Sequence, residues 1–215
     1  MNHELWKNIS SSIASDTLDK LGHSGALFSR AIRPVLDAPH LVGRARTLQF
    51  EPGAAPGDHE RMLSDYIAFI DSLVPGDVPV IACGPGGGYG VWGDVLSNAS
   101  QQRGAPGCIT DGFSRDIPGI REIGFSLFCA GIGCEQVGGR GKIVAADVPV
   151  ECGGALVTPG DIVLADFDGC VSIPPHHAEQ ILKAGRDALE KDHETLTAVR
   201  QGMLLRDVFK ITGVF

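Results

Sequence analysis

The sequence predicts an α/β fold, a single domain over residues 1–215 built on a mixed sheet. Three observations carry this. The middle of the chain alternates strand and helix patterns. The third that follows reads as short strands in succession. No linker-like stretch divides the 215 residues, a length within reach of one large domain. Strands that alternate with helices pair in parallel, and strands in direct succession pair antiparallel, so a chain holding both gives a mixed sheet.

The elements follow in order. SDTLDKLG, Ser15 to Gly22, reads as a helix that Ser15 caps and Gly22 ends. LVGRARTLQFE, Leu41 to Glu51, alternates like a strand, and EPGAAPGD, Glu51 to Asp58, reads as a loop. In HERMLSDYIAFIDSL the apolar Met62, Leu63, Ile67, Ile70 and Leu73 recur at helical spacing. VPGDVPVIACG is a turn and a strand, DVLSNASQQRG a helix ending at Gly104, and APGCITDG a turn and a short buried strand. RDIPGIREIG makes a short helical crossover to the strand FSLFCAG. Beyond Gly138, short strands are split by glycines and by a Pro-Gly-Asp turn at Pro159 to Asp161, which shares its chemistry with Pro75 to Asp77. A long amphipathic helix then carries Ile181, Leu182, Ala188, Leu189, Leu196 and Val199 as its stripe. His176 and His177 read as its start, and a short helix around Leu204 to Lys210 follows it.

A hydrophobic fraction of 43% and a charged fraction of 20% describe an ordinary globular protein, and a net charge of −8 speaks against a nucleic-acid partner. No apolar run approaches the ~20 residues of a membrane span, and the N-terminus does not resemble a signal peptide. Cys83, Cys108, Cys129, Cys134, Cys152 and Cys170 lack the spacing of a zinc or redox motif. Most stand in apolar, strand-like surroundings and read as buried reduced thiols. The expectation is a cytoplasmic protein with neither membrane nor nucleic-acid partner.

The stretch CGPGGGYGVWGD, Cys83 to Asp94, follows a strand and opens a helix. Gly88, Gly90 and Gly93 fit the dinucleotide fingerprint, and Asp111 stands 18 residues after Gly93, near where a ribose-binding acid belongs. Asp94 argues against that reading, because a carboxylate at a helix N-terminus repels a pyrophosphate. A tight turn with Asp94 as a first-turn helix acid is the plain structural alternative. A second polar cluster, Asp111, Arg115 and Asp116 in TDGFSRD, follows the next strand, where α/β folds place ligands. Twenty residues separate Asp94 from Arg115. If neighbouring parallel strands lead into both loops, Asp94, Arg115 and Asp116 meet at one mouth. Free helix amides, a guanidinium and two carboxylates there suit a hard divalent metal and a 2-oxo acid. A surface Arg-Asp pair remains the alternative.

The sequence resembles the 4-hydroxy-4-methyl-2-oxoglutarate / 4-carboxy-4-hydroxy-2-oxoadipate aldolases, a family (RraA-like) that also contains the regulator of ribonuclease E activity A. WGDVLSNASQQRGAPGCITDGFSRDIPGIREIGFSLF and VPVECGGALVTPGDIVLADFDGCVSIP carry the resemblance. It implies a β/β/α swivelling-type domain, assembled as homotrimers or homohexamers with sites between subunits. It implies Mg²⁺ or Mn²⁺ on Asp116, substrate on Arg115, and the substrate carboxylate on the amides of Gly93, Asp94, Val95 and Leu96. Asp94 would steer the water that moves the proton; the regulators typically have glycine there, so Asp94 points to the aldolase branch. A neighbouring subunit's C-terminal helix would supply an acid, here Asp192 or Glu194. The implied chemistry is retro-aldol cleavage or oxaloacetate decarboxylation through a pyruvate enolate, with Asp94 and Arg115 as the catalytic residues. No lysine near the cluster suggests a Schiff base. The run Gly86 to Gly88 is richer in glycine than the family leads one to expect, and room for a substrate tail is the use it suggests.

Overall fold

In this computed structural model, residues 3–37, 39–53 and 58–213 are described. The chain opens with helix α1, Ser11–Lys20. The cap is Ser10 rather than Ser15: its hydroxyl accepts from the Ile13 amide at 3.2 Å, so the helix starts five residues earlier than a cap at Ser15 implies. Gly22 ends it in the left-handed region, φ +72°, as expected. Strand β1, Arg33–Pro34, and strand β2, Leu41–Pro52, lead to helix α2, Asp58–Asp71. Of the expected 51–58 loop, residues 54–57 lie outside the described residues, while Glu51 and Pro52 belong to β2 and Asp58 to α2.

Strand β3, Asp77–Ala82, short strand β4, Gly90–Trp92, and helix α3, Asp94–Gln102, frame the glycine loop. Strand β5, Gly107–Ser114, helix α4, Ile117–Glu122, and strand β6, Ser126–Ile132, complete the alternating half. Strands β7 to β11 follow at Gly141–Ala146, Val150–Cys152, Ala155–Val157, Ile162–Ala165 and Cys170–Ile173. Helices α5, Ala178–Arg200, and α6, Leu205–Thr212, come last.

The sheet is mixed, as the two halves of the sequence require. Its main path runs β1-β6-β5-β3-β2-β10-β11, with β4 on β5 and β7 on β2. β2, β3, β5 and β6 pair in parallel along that path, and β10, β11, β7 and β1 pair antiparallel. Alternate residues point to opposite faces. One face packs Ile81, Cys108 and Leu127 under α2, α3 and α4, with Tyr66, Phe69 and Trp92. The other packs Val80, Ile109 and Val163 under the hairpin β8–β9. Helices α1 and α5 close a third cluster around Trp6, Leu18 and Ile181. Hairpin, sheet and helices give the β/β/α layering. No helix among the described residues is long and apolar enough to cross a membrane.

The two Pro-Gly-Asp turns do share their chemistry. Gly76 and Gly160 both take positive φ, +87° and +92°. Each following aspartate reaches back to the amide before the proline, Asp77 to Val74 at 3.1 Å and Asp161 to Thr158 at 2.8 Å. Both brace β2: the Arg44 amide donates to the Gly76 carbonyl and the Ala45 amide to the Asp161 carbonyl.

Candidate functional site

Parallel pairing brings the two predicted clusters together. β3 lies beside β5 with Val80 opposite Ile109, and β4 lies parallel to the end of β5 with Trp92 opposite Ser114. Both exits therefore open at the same edge of the sheet. The Arg115 amide donates to the Trp92 carbonyl at 3.1 Å, and the Ser114 hydroxyl donates to the same carbonyl at 3.3 Å. These bonds fix Gly93–Asp94 against Arg115–Asp116.

Asp116 is held in an uncommon backbone state, left-handed with φ +57°. Aspartate bears this better than most residues. Its carbonyl accepts the amides of Gly119 and Ile120 at the start of α4, while its side chain makes no capping bond. The carboxylate instead turns to Arg115, whose Nε lies 3.3 Å from Oδ2, both side chains being nearly half exposed. It also lies against the start of α3: a Cβ on Gly93 would come 2.8 Å from Asp116 Oδ2. Gly93 is extended, φ −164°, so it supplies space rather than an unusual angle. Asp94 opens α3 and rests on the other flank, where a Cβ on Gly119 would meet its Oδ2 at 3.0 Å.

Gly93 brings no side-chain cap to α3. The first-turn amides of Asp94, Val95 and Leu96 thus present the positive end of a helix toward the gap between the two carboxylates and Arg115. That gap opens into a cavity of about 230 Å³ whose lining includes Trp92, Val95 and Arg115 as well as Leu63, Ile67 and Val137. A wider hollow of about 490 Å³ lies across the Arg115–Asp116 ridge, beside Ile132 and Cys134.

Among the described residues no three His, Cys, Asp or Glu side chains gather to enclose a metal. The donor set nonetheless fits Mg²⁺ or Mn²⁺. Magnesium in particular keeps several waters and takes one or two carboxylates plus substrate oxygens, and Asp116 and Asp94 offer hard oxygens beside an open cavity.

Several residues fall out differently from the sequence reading. Asp111 does not face the mouth. Its Oδ1 accepts from the Cys83 amide at 2.6 Å and its Oδ2 from the Gly153 amide at 3.0 Å, so both oxygens tie the glycine loop to the β8–β9 turn. Burial pushes its carboxyl pKa up, and the amide bonds pull against that. The dinucleotide glycines serve packing. Gly90 lets the Glu135 carbonyl approach and accepts no Cβ there, and Gly88 faces the Phe113 ring. The glycine-rich run makes the turn itself: Gly84 and Gly86 take positive φ, and a Cβ on Gly87 would collide with Cys83. Burial also raises the Cys83 thiol and lifts the Tyr89 hydroxyl to about 12.

Trp92 is a core residue: it is 1% exposed, stacks on Phe125 and donates from Nε1 to the Ser97 hydroxyl at 2.7 Å. Five cysteines are buried and free as expected, but Cys134 is exposed beside the wider hollow. Glu194 is exposed on α5, far along the chain from this mouth, and the Asp192 side chain lies outside the described residues. The residues missed in the sequence are Leu63 and Ile67. They share the helical spacing of Met62, Ile70 and Leu73, yet they are 42% and 58% exposed. The buried stripe is Met62, Tyr66, Phe69, Ile70 and Leu73. Including the aromatics in the stripe would have shifted it and set Leu63 and Ile67 apart.

Comparison with known proteins agrees with this fold. Residues 11–172 match the RraA-like family, Aldolase/RraA. A Halalkalibacterium halodurans protein named "Putative 4-hydroxy-4-methyl-2-oxoglutarate aldolase" is 29% identical over 93% of this chain and 89% of its own. Protein DlpA of Legionella pneumophila is 28% identical over 92% of this chain, which spans only 31% of that protein. Among solved structures, one from Streptomyces coelicolor, described as an unusual member of the RNase ES inhibitor RraA protein family, superposes with a TM-score of 0.79 at 30% identity, covering 91% of this chain and 96% of that one.

Proposed function

Because the chain belongs to the RraA-like family, we propose that it is a divalent-metal-dependent carbon–carbon lyase, cleaving a 2-oxo acid through the enolate of pyruvate. The observation that supports this most is the meeting of Asp94, Arg115 and Asp116 around the uncapped start of α3.

Mg²⁺ or Mn²⁺ on Asp116, when bound, supplies a Lewis acid for the keto and carboxylate oxygens of the substrate. The amides of Gly93 to Leu96 receive the carboxylate. Arg115 sets a fixed positive charge beside the keto oxygen, where negative charge grows. Asp94 orients the water that takes the proton from the 4-hydroxyl. The C3–C4 bond then breaks, its electron pair moves to the C2 carbonyl, and the C4 fragment leaves as a carbonyl compound. Protonation at C3 completes pyruvate. With oxaloacetate the same bond breaks and CO₂ leaves.

The assembly we propose is a homotrimer or homohexamer with the mouth near a subunit boundary. Exposed Leu196 on α5, Leu204 before α6, and Leu205, Phe209 and Ile211 on α6 are in keeping with a covered face. Glu194, or Asp192, is the acid a neighbour would contribute. Light scattering gives the copy number.

The test is a lactate dehydrogenase-coupled assay for pyruvate with oxaloacetate and 4-hydroxy-2-oxo acids, with Mg²⁺, with Mn²⁺ and with EDTA. Pyruvate release that EDTA abolishes is expected, and full activity in EDTA removes the metal from the reading. Release from no substrate in either metal would make the chain a binding protein, the reading suggested by the description of the Streptomyces relative.

A further inference from the structure

We infer that Ser97 is a positioning residue: from inside the core it holds and polarises the Gly93–Asp94 peptide, whose N–H is among the α3 amides offered to the substrate carboxylate. This rests on the lyase reading above and deepens it at the carboxylate end. Ser97 is fully buried, one turn into α3, and is not among the residues that line the cavity. Its hydroxyl accepts from Trp92 Nε1 at 2.7 Å and donates to the Gly93 carbonyl at 2.9 Å. Chemistry fixes the direction of both bonds. An indole N–H can only donate, so the single hydroxyl hydrogen of Ser97 is left for the Gly93 carbonyl.

That carbonyl also accepts the Ser97 amide at 3.1 Å, so it takes two donors. The Gly93 carbonyl and the Asp94 N–H belong to one peptide plane. Hydrogen bonds in a buried chain polarise one another, so loading the oxygen strengthens the N–H as a donor. The orientation is held as well. The Val91 carbonyl accepts the Tyr66 hydroxyl at 2.7 Å, and the Trp92 carbonyl accepts the Arg115 amide at 3.1 Å. With Gly93 these make three successive carbonyls engaged by the scaffold, which keeps the last from swinging toward an anion it would repel. Helix formation does not ask for this serine. The Ser97 amide already supplies the helix bond to Gly93, and alanine is the better helix former. Ser100, one turn further along α3, gives the contrast: it is equally buried, and among the described residues its hydroxyl has no partner.

Three variants test this, each measured well below its melting temperature. Ser97→Ala removes the donor and leaves the Trp92 indole without its acceptor, Ser97→Thr keeps the hydroxyl, and Ser100→Ala removes a hydroxyl with no partner. Calorimetry gives the affinity for pyruvate with Mg²⁺ and for Mn²⁺ alone. Ser97→Ala is expected to weaken pyruvate about three- to tenfold and to leave Mn²⁺ unchanged, because Asp116 is not touched. Ser97→Thr should restore the pyruvate affinity, and Ser100→Ala should not alter it. In nitrogen–proton spectra without metal or ligand, the Asp94 amide proton should move upfield in Ser97→Ala and return in Ser97→Thr. In turnover KM should rise while kcat stays near the parent's, since the carboxylate carries the same charge in substrate and enolate. Equal pyruvate affinity in Ser97→Ala and the parent, a parallel loss of Mn²⁺ and pyruvate, or no rescue by a folded Ser97→Thr overturns the role of Ser97 and leaves the lyase standing. Pyruvate release from no acid removes the lyase alone, because the binding and spectral measurements decide Ser97 without turnover. A parent that binds no pyruvate overturns both.

Discussion

Asp111 and Asp116 lie on one strand and its exit, five residues apart, and they are put to opposite uses. Asp111 has each oxygen on a backbone amide, from Cys83 and from Gly153. The Asp116 carboxylate, among the described residues, takes no backbone amide and meets only a half-exposed guanidinium. The glycine loop divides the same way. Its first half, up to Gly88, is turn and packing; its second half, Gly90 to Asp94, makes room for a carboxylate and opens a helix. Accounting for each carboxylate oxygen separates an acid that holds the chain from one that remains available to a ligand. The ion pair at Asp116 does not alter this, since an exposed pair contributes little stability.

The difference can be broken experimentally, first where the effect is largest. Asp116→Ala and Arg115→Ala should each lower metal-dependent pyruvate release on the order of 10²- to 10³-fold, as removal of one charge-stabilising group does elsewhere. Their melting temperatures should stay near the parent's. A large loss of stability in either would erase the contrast with Asp111. Asp111→Ala should do the reverse. Two amides that donated to a charged acceptor lose it, which costs about 3 kcal/mol in urea unfolding. Turnover of the fraction still folded should change little.

Two glycines sharpen the same point. Gly87→Ala drives a methyl into Cys83 and should destabilise by about 1–3 kcal/mol. Gly93→Ala instead pushes the Asp116 carboxylate aside, since its Cβ would lie 2.8 Å from Oδ2. About tenfold in kcat/KM should be lost there, with little change in unfolding, because a small misplacement at the chemistry costs rate before it costs fold. Equal effects of the two alanines on stability would contradict the division of the loop.

The smallest effect is one of pH. Burial holds the Asp111 pKa above its unfolded value, although amide bonds oppose the shift. The folded state therefore keeps the proton to higher pH than the unfolded one. This group's contribution to stability is present below the unfolded pKa and is lost as pH rises through the folded pKa. The stability of the parent relative to Asp111→Asn should accordingly grow as the pH is lowered toward the unfolded carboxylate value. Urea titrations of both proteins at several pH values measure it.

Much of this organisation was legible in the sequence. The Pro-Gly-Asp turns, the order of strands and helices and the pairing of Asp94 with Arg115–Asp116 follow from residue types and spacing. Periodicity does not say on which side of a strand exit a side chain emerges, so Asp111 and Asp116 read alike until β4 is seen lying along β5. That strand, three residues long, was too short to show a period among its glycines. Serines recur through the stretch that opens α1, and only the bond from Ile13 identifies Ser10 as the cap. Leu63 and Ile67 fit helical spacing whether they face the core or, as here, are exposed.

The open carboxylates also bear on descent. Among the described residues no backbone amide fastens the Asp94 or Asp116 carboxylate to the scaffold, and Gly93 and Gly119 leave space around them. A lineage can exchange either acid and inherit the same sheet, turns and outer faces. Loss of chemistry would then be nearly neutral for folding, and a duplicated gene could keep its surface for another purpose. In such a protein, catalysis is easily lost and shape is slow to change.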